Sequence, residues 1–264
     1  MLQIVRERCR VLSWSAVKLI ELGALGVAAG ALNAAAGGGS LLTFPALVAF
    51  GLPSLSANLT NTVAQCPGYA AVVRGYRPDL TGQRGRILEL SAPAAVGGAA
   101  GIAALELAPP HALGVVAPAL VLVACGLLAA QPLIARALPR LTVGLRARSG
   151  MHVAVGIACS YAAYFGAAAG VLLLTVLTLF VVDRLQRLNA LNRLLILVVN
   201  VFAAILFAVL GPVSWPAIAV LAPTTAIGGR GGVFLVRRLG STALRGVVLV
   251  IGVAAAAYLI ATSW

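Results

Sequence analysis

Glycines and polar side chains stand inside long apolar stretches of this chain, and these residues could bind a ligand. Within NAAAGGGSLLTFPALVAFG, which begins at Asn33, an apolar run is interrupted by Gly37, Gly38, Gly39 and Ser40. Unpaired backbone groups are costly in hydrocarbon, so broken backbone is tolerated where it lines a cavity enclosed by protein. A helix that restarts after these glycines would present free N–H groups and a positive dipole end to an anion. We therefore favour a binding role here over close helix packing.

Amide side chains form a second group and recur on one face of two predicted helices. They are Asn58, Asn61 and Gln65 in the first half of the chain, and Asn189, Asn192 and Asn200 in the second; the hydroxyl of Thr60 is a further candidate ligand in the first half. Amides inside a membrane span are costly unless they bond to another helix or to a ligand. Hydrogen bonds between helices account for some of them, but the recurrence of this face in both halves favours a central polar pocket.

Two arginines within apolar stretches, Arg193 and Arg230, could supply positive charge to such a pocket. An arginine offers a planar fork of donors to an anion, but its long side chain can also reach the membrane surface. Both interpretations stay open for Arg193, which lies one turn into its helix, and for Arg230, which lies deeper.

Catalytic, metal and cofactor sites have no support in the sequence. The two histidines, His111 and His152, lack carboxylate or cysteine companions, and the four cysteines show no CxxC spacing. Glu89 and Glu106 flank one predicted helix, and either could carry a coupling proton. We expect no enzyme activity, no metal and no cofactor.

The composition indicates an all-α polytopic membrane protein. The 264 residues are 61% hydrophobic and 9% charged, with a mean hydropathy of +1.05, whereas soluble domains carry about a quarter charged residues. The net charge of +13 is better explained by arginine-rich loops on the cytoplasmic side, where they meet anionic lipid, than by nucleic acid. Apolar stretches long enough to cross a membrane occupy 19–36, 55–73, 87–105, 112–135, 151–181, 188–210, 215–236 and 243–262.

The two halves of the chain resemble each other at an offset of 131 residues. An N-x-x-N pattern and a G-G-x-x-G pattern recur at this offset, as does Gly39 at Gly170. For the G-G-x-x-G glycines, Gly97 and Gly101 with Gly228 and Gly232, we favour a role in close helix packing. We predict one transmembrane repeat at 1–135, a basic linker at 136–149 and a second repeat at 150–264. Each repeat would begin with a glycine-interrupted segment, giving 8–10 transmembrane segments in all. The second interruption, GAAAGVLLLT from Gly166, is milder and is compatible with a simple bend.

Loop charges predict that the two repeats are inverted. The basic loop follows the N-x-x-N helix in the first half, at 74–86, and precedes it in the second, at VVDRLQR. Cytoplasmic loops carry the arginines, so the two helices would cross in opposite directions. Inversion requires an odd number of crossings per half, which follows if the interrupted segment turns back. The arginines at 6, 8 and 10 would then lie outside, against this rule.

These residues resemble the TauE/SafE family of membrane permeases, proposed exporters of sulfite and organosulfonates. The resemblance is carried by AAGGGSLLTFPAL, by GLPSLSANLTNT and by LNALNRLLILVVN, which contains Arg193 and Asn200. It implies eight helices, four per half, and a sulfur oxyanion as substrate.

We therefore expect a secondary transporter in the bacterial inner membrane that exports a small anion by alternating access. A proton or sodium gradient would drive it, because the chain has no nucleotide-binding loop. An anion channel and an intramembrane enzyme remain the alternative classes. Lipid is the other expected partner, nucleic acid is not expected, and the sequence leaves homo-oligomerisation open.

Overall fold

The computed structural model of this protein describes residues 14–35, 37–109, 145–166 and 169–239, with scattered positions between 113 and 133. The regular structure of these residues is helical. The helices are α1 (Ala16–Ala35), α2 (Ser40–Ala49), α3 (Ser54–Gly75), α4 (Arg77–Leu80), α5 (Arg84–Leu107), α6 (Leu145–Tyr164), α7 (Ala169–Phe180), α8 (Leu185–Leu210) and α9 (Trp215–Leu239).

Four of the described helices, α1, α5, α8 and α9, are long and apolar enough to cross a membrane. The α3 helix has 22 residues, but its amides and hydroxyls lower its hydropathy. The predicted spans at 112–135 and 243–262 lie largely or wholly outside the described residues. The α6 helix begins at Leu145, inside the segment predicted as a linker at 136–149.

Many of the charged side chains lie at one end of the bundle, which we call the basic end (residues 74–86, 181–187 and 236–238). There Arg86 pairs with Asp183, and the Gln83 amide donates to the carbonyl of Arg187 at 3.0 Å. The pKa of Asp183 lies below its ordinary value because Arg86 and the backbone N–H of Arg184 donate to the carboxylate. These contacts bring the two loops that were predicted as cytoplasmic to the same end.

The opposite, neutral end comprises residues 50–53 and 211–215, which carry no charge. Here the Ser56 hydroxyl donates to the Pro212 carbonyl, and the Ser214 N–H donates to the Thr60 hydroxyl at 2.9 Å. The start of α3 therefore meets the end of α8, whereas at the basic end the segment that follows α3 meets the start of α8. The two N-x-x-N helices consequently run antiparallel.

Two helical hairpins enter the bundle from opposite ends. Trp14, just before α1, makes an edge-on ring contact with Phe50, just after α2, so the first hairpin opens at the neutral end. A Cβ added at Gly150 of α6 would lie 3.6 Å from the Phe180 ring, and His152 lies 3.1 Å from Glu89 near the start of α5. The second hairpin, formed by α6 and α7, therefore opens at the basic end.

Each hairpin turns at a glycine in the left-handed region, with φ of 75° at both Gly37 and Gly166. Only glycine adopts this conformation without steric cost. The second interruption is therefore a turn rather than a simple bend, and the apolar stretch 151–181 is two helices rather than one.

Glycines bring the long helices together, as close packing requires. The α9 helix packs on α1 and α3, α5 packs on α6, and α8 packs on α3 and α5. A Cβ at Gly97 would lie 2.0 Å from the Gly156 carbonyl, and one at Gly228 would lie 2.0 Å from the Val27 carbonyl. A Cβ at Gly101 would lie 2.1 Å from the Ser160 carbonyl oxygen, and one at Gly232 would lie 2.5 Å from Cα of Ala31. The structure thus confirms a packing role for the G-G-x-x-G glycines.

Candidate functional site

The two hairpins meet at the guanidinium group of Arg193, which is completely buried. A Cβ added at Gly37 would lie 2.3 Å from Nη1 of Arg193 and 2.9 Å from Cα of Gly170. A Cβ at Gly170 would lie 2.4 Å from the same nitrogen. The guanidinium therefore lies against both hairpins, in space that exists because both residues lack a side chain. Arg193 does not reach for the membrane surface, so the snorkelling alternative is wrong.

Electrostatically, the guanidinium is an isolated buried cation. None of its three nitrogens has a hydrogen-bond partner among the described residues, and none of the described carboxylates pairs with it. The phenol groups of Tyr69 and Tyr76 are close enough to interact with its charge, and both side chains are buried. An unpaired charge in such surroundings is strongly disfavoured, which makes this place complementary to an anion.

The amides of the second half hold the hairpin rather than point freely into a pocket. Asn192, which directly precedes Arg193 in α8, donates to the carbonyl of Gly170 at 2.8 Å. Asn189 interacts with the Tyr76 hydroxyl. The side-chain oxygens of Asn189 and Asn192 are buried without a partner among the described residues. These two side chains therefore border the site and retain unused acceptors.

A closed network of side chains secures the first hairpin. Asn33 donates to Gln65 at 2.8 Å and accepts from the N–H of Gly39 at 2.9 Å. The Thr43 hydroxyl donates to Asn61 and accepts from Gln65 at 3.0 Å. Both side-chain polar atoms of Gln65 are thus engaged within the protein, as is the side-chain oxygen of Asn61.

Two of the four N–H groups at 37–40, which were expected to be free, are engaged within the protein. The N–H of Gly37 donates to the Leu32 carbonyl at 3.2 Å, and that of Gly39 is bound by Asn33. Gly38 is buried beside them, and its carbonyl accepts from Leu41 at 3.0 Å. Ser40 is buried and interacts with the Tyr69 hydroxyl. The positive side chain that the structure places beside these glycines is that of Arg193.

Asn58 links the two halves, because its amide donates to the carbonyl of Tyr164 at the tip of the second hairpin, at 2.9 Å. Its side-chain oxygen has no partner among the described residues. A residue of the first half thus positions the interruption in the second.

Three predicted site residues lie elsewhere. Thr60 binds the neutral end through Ser214, and Asn200 donates to the Ile196 carbonyl of its own helix at 2.9 Å. Arg230 is exposed on the outside of the bundle, away from Arg193, which favours the alternative that its side chain reaches the membrane surface. Of the two acids considered for proton coupling, Glu89 is paired with Arg148 at 2.6 Å and Glu106 is exposed.

Four residues at or around the site were missed by the sequence analysis: Asn33, Thr43, Tyr69 and Tyr76. Asn33 carried a usable signal, because it is an amide four residues before the first glycine. The tyrosines carried none, since aromatic residues are common in membrane helices. Among the described residues, no group of three His, Cys, Asp or Glu side chains could hold a metal ion.

Long apolar helices around a buried, unpaired cation define a polytopic membrane protein with an internal site suited to anions. The chain belongs to the sulfite exporter TauE/SafE family, whose model matches residues 22–259. Membership implies a membrane transporter of the sulfite-exporter type, not an enzyme. Neither a curated protein nor a solved structure matches the chain.

Proposed function

We propose that this protein is a secondary transporter that exports a small anion across the bacterial inner membrane. Sulfite, a sulfonate or another sulfur oxyanion would bind at Arg193. The observation that carries the proposal is the guanidinium that is fully buried between Gly37 and Gly170 with all three nitrogens unpartnered. A bound oxyanion would neutralise this charge and accept two hydrogen bonds from the planar fork.

We further propose that the chain consists of two inverted repeats, at 1–135 and 150–264. The antiparallel course of α3 and α8 and the entry of the two hairpins from opposite ends support this arrangement. A recurring helix contact also supports it: Gly97 of α5 packs against the backbone of Gly156 in α6, and Gly228 of α9 packs against the backbone of Val27 in α1. The α1–α9 and α5–α6 pairs are then equivalent under the repeat.

Alternating access follows from this symmetry. Each hairpin covers Arg193 from its own end of the molecule, and in this structure both are closed over it. Movement of one hairpin would open the site to one side of the membrane, and movement of the other would open it to the opposite side. With the basic end in the cytoplasm, the α6–α7 hairpin would be the inner gate.

The test is flux of labelled sulfite in proteoliposomes, with sulfate, thiosulfate, sulfoacetate, taurine and lactate as competitors. We expect saturable flux with counterflow, inhibited by sulfur oxyanions. Hydrogen bonds to a charged group are worth about 1.5–3 kcal/mol, so Arg193→Gln should reduce kcat/KM roughly 10–150-fold. Arg193→Lys keeps the charge but loses the fork and should be intermediate.

Arg84→Gln is the matched control, because Arg84 is exposed and forms no ion pair within the described part of the chain. Flux without saturation or counterflow would favour a channel. Equal flux in the native protein and in Arg193→Gln would place the substrate elsewhere and refute the proposal.

A further inference from the structure

A second basic site lies on the outside of the bundle, in a cavity of about 640 Å³ between α3 and α9. Arg74 and Arg230 lie at its rim, and its apolar part includes Ala70, Ala226 and Ile227. The side chain of Ile227 is 65% exposed, so the cavity opens away from the bundle. In a membrane, this opening faces lipid.

The groove results from the way the two helices pack. A Cβ at Gly229 would lie 2.7 Å from the Gly68 carbonyl, so the helices touch along their inner faces. On the outer side the neighbouring residues are alanines, whose short side chains leave a channel between the helix backbones. A Cβ at Gly231 would meet nothing within 4 Å, so α9 is uncovered at the residue next to Arg230.

Charge at the groove is uncompensated. Neither Arg74 nor Arg230 has an ion-pair partner among the described residues. By contrast, neighbouring Arg237 pairs with Asp79 at 3.0 Å, and Arg238 stacks on the Phe234 ring at 4.3 Å. The groove therefore presents two free guanidinium groups above an apolar floor.

The order of these residues along the helices matches the order of groups in a phospholipid. Arg74 lies in the last turn of α3 at the basic end, where Arg237 also donates to the Gly75 carbonyl. Ala70 and Ile227 lie about one turn further from that end than the two arginines, towards the hydrocarbon.

We infer that this groove binds an anionic phospholipid of the leaflet at the basic end. The lipid phosphate lies between Arg74 and Arg230, and the upper part of an acyl chain covers the alanines and Ile227. Basic pockets between membrane helices bind such headgroups through charge, and the apolar floor distinguishes a lipid from a free anion. This site is separate from Arg193 and does not depend on the transport proposal.

The experiment is native mass spectrometry of the full chain. The protein is mixed in detergent with phosphatidylglycerol or phosphatidylcholine, and the lipid that stays bound after the detergent is removed is measured. We expect the native protein to retain phosphatidylglycerol preferentially. Two surface arginines together contribute roughly a 30-fold change in affinity for an anionic lipid. The double variant Arg74→Gln, Arg230→Gln should therefore lose most of the bound phosphatidylglycerol. The control pair is Arg77→Gln with Arg84→Gln, which removes the same charge from the same end outside the groove.

Ala226→Phe provides a second test, because it fills the apolar floor while both arginines stay. It should also reduce phosphatidylglycerol retention, and inorganic phosphate should not displace the lipid. The inference would be overturned if both double variants retained as much phosphatidylglycerol as the native protein. It would also be overturned if both lost the lipid to the same extent, because that would indicate binding by diffuse surface charge. Complete displacement by inorganic phosphate would indicate a free-anion site and would overturn it as well.

Discussion

Replacing Arg193 with methionine should stabilise the protein while abolishing its response to anions. Three guanidinium nitrogens are buried without partners, and a buried unsatisfied donor costs about 1–3 kcal/mol, more when it is charged. Methionine is flexible and fills irregular space, but imperfect packing costs about 1–3 kcal/mol. Replacing a buried ion pair with well-packed apolar side chains is often neutral or stabilises by about 1–4 kcal/mol, and for this unpaired charge we expect a gain of that size.

The assay is thermal unfolding of the purified protein in detergent, with and without sulfite. The native protein should melt at a higher temperature when sulfite is present, since a ligand that binds the folded state stabilises it. Arg193→Met should melt higher than the native protein without sulfite and show no shift with it. Arg84→Met changes an exposed arginine, so it should melt at the native temperature without sulfite and keep the native shift with sulfite.

A lower melting temperature of Arg193→Met without anion would refute this reasoning. It would mean that the guanidinium supports the fold and is satisfied within the protein. Retention of the sulfite-induced shift in this variant would separately show that the anion binds elsewhere. Arg193→Lys distinguishes charge from geometry, because it should keep part of the shift.

The remaining predictions concern the hairpin tips, the helix packing and the basic end. Gly170→Ala places a Cβ 2.4 Å from Nη1 of Arg193, so it should displace the guanidinium and impair flux, whereas Gly231→Ala, with nothing within 4 Å, should not. Gly97→Ala places a Cβ 2.0 Å from a facing carbonyl and should lower the free energy of unfolding by about 1–3 kcal/mol, measurable by thermal unfolding. The depressed pKa of Asp183 contributes stability above the ordinary carboxyl pKa, and this stability is lost as the pH falls through the folded-state pKa. Melting curves from neutral to acid pH should therefore lose less stability for Asp183→Asn than for the native protein.

Much of the architecture could be predicted because it depends on local rules. Apolar length predicts membrane helices, and glycine runs predict where a helix breaks or approaches another closely. The packing glycines at Gly97 and Gly228 were identified correctly, since their spacing fits one helix face. The break at Gly166 was underestimated, because its flanking alanines favour a helix and only tertiary contacts favour the turn.

The roles of individual polar residues could not be predicted, because they depend on which partner each one meets. A helix face of amides is equally compatible with a ligand pocket and with hydrogen bonds to hairpin carbonyls. Gln65 and the side-chain oxygen of Asn61 are bound by Thr43 and Asn33, which lie on other helices. Sequence spacing gives the face of a helix but not its neighbour.

The two arginines show the same limit most clearly. The glycines at positions 228, 229 and 232 occupy the packed face of α9, so the residue at 230 must point the opposite way. That geometry could have been worked out from helical periodicity once the packed face was known. Arg193 differs, because its burial requires two hairpins to close over it from opposite ends. The residue that matters most for the proposed function is therefore the one whose surroundings are most non-local. Its unpaired guanidinium is tolerable in a folded protein if the same hairpins that hide it also admit an anion.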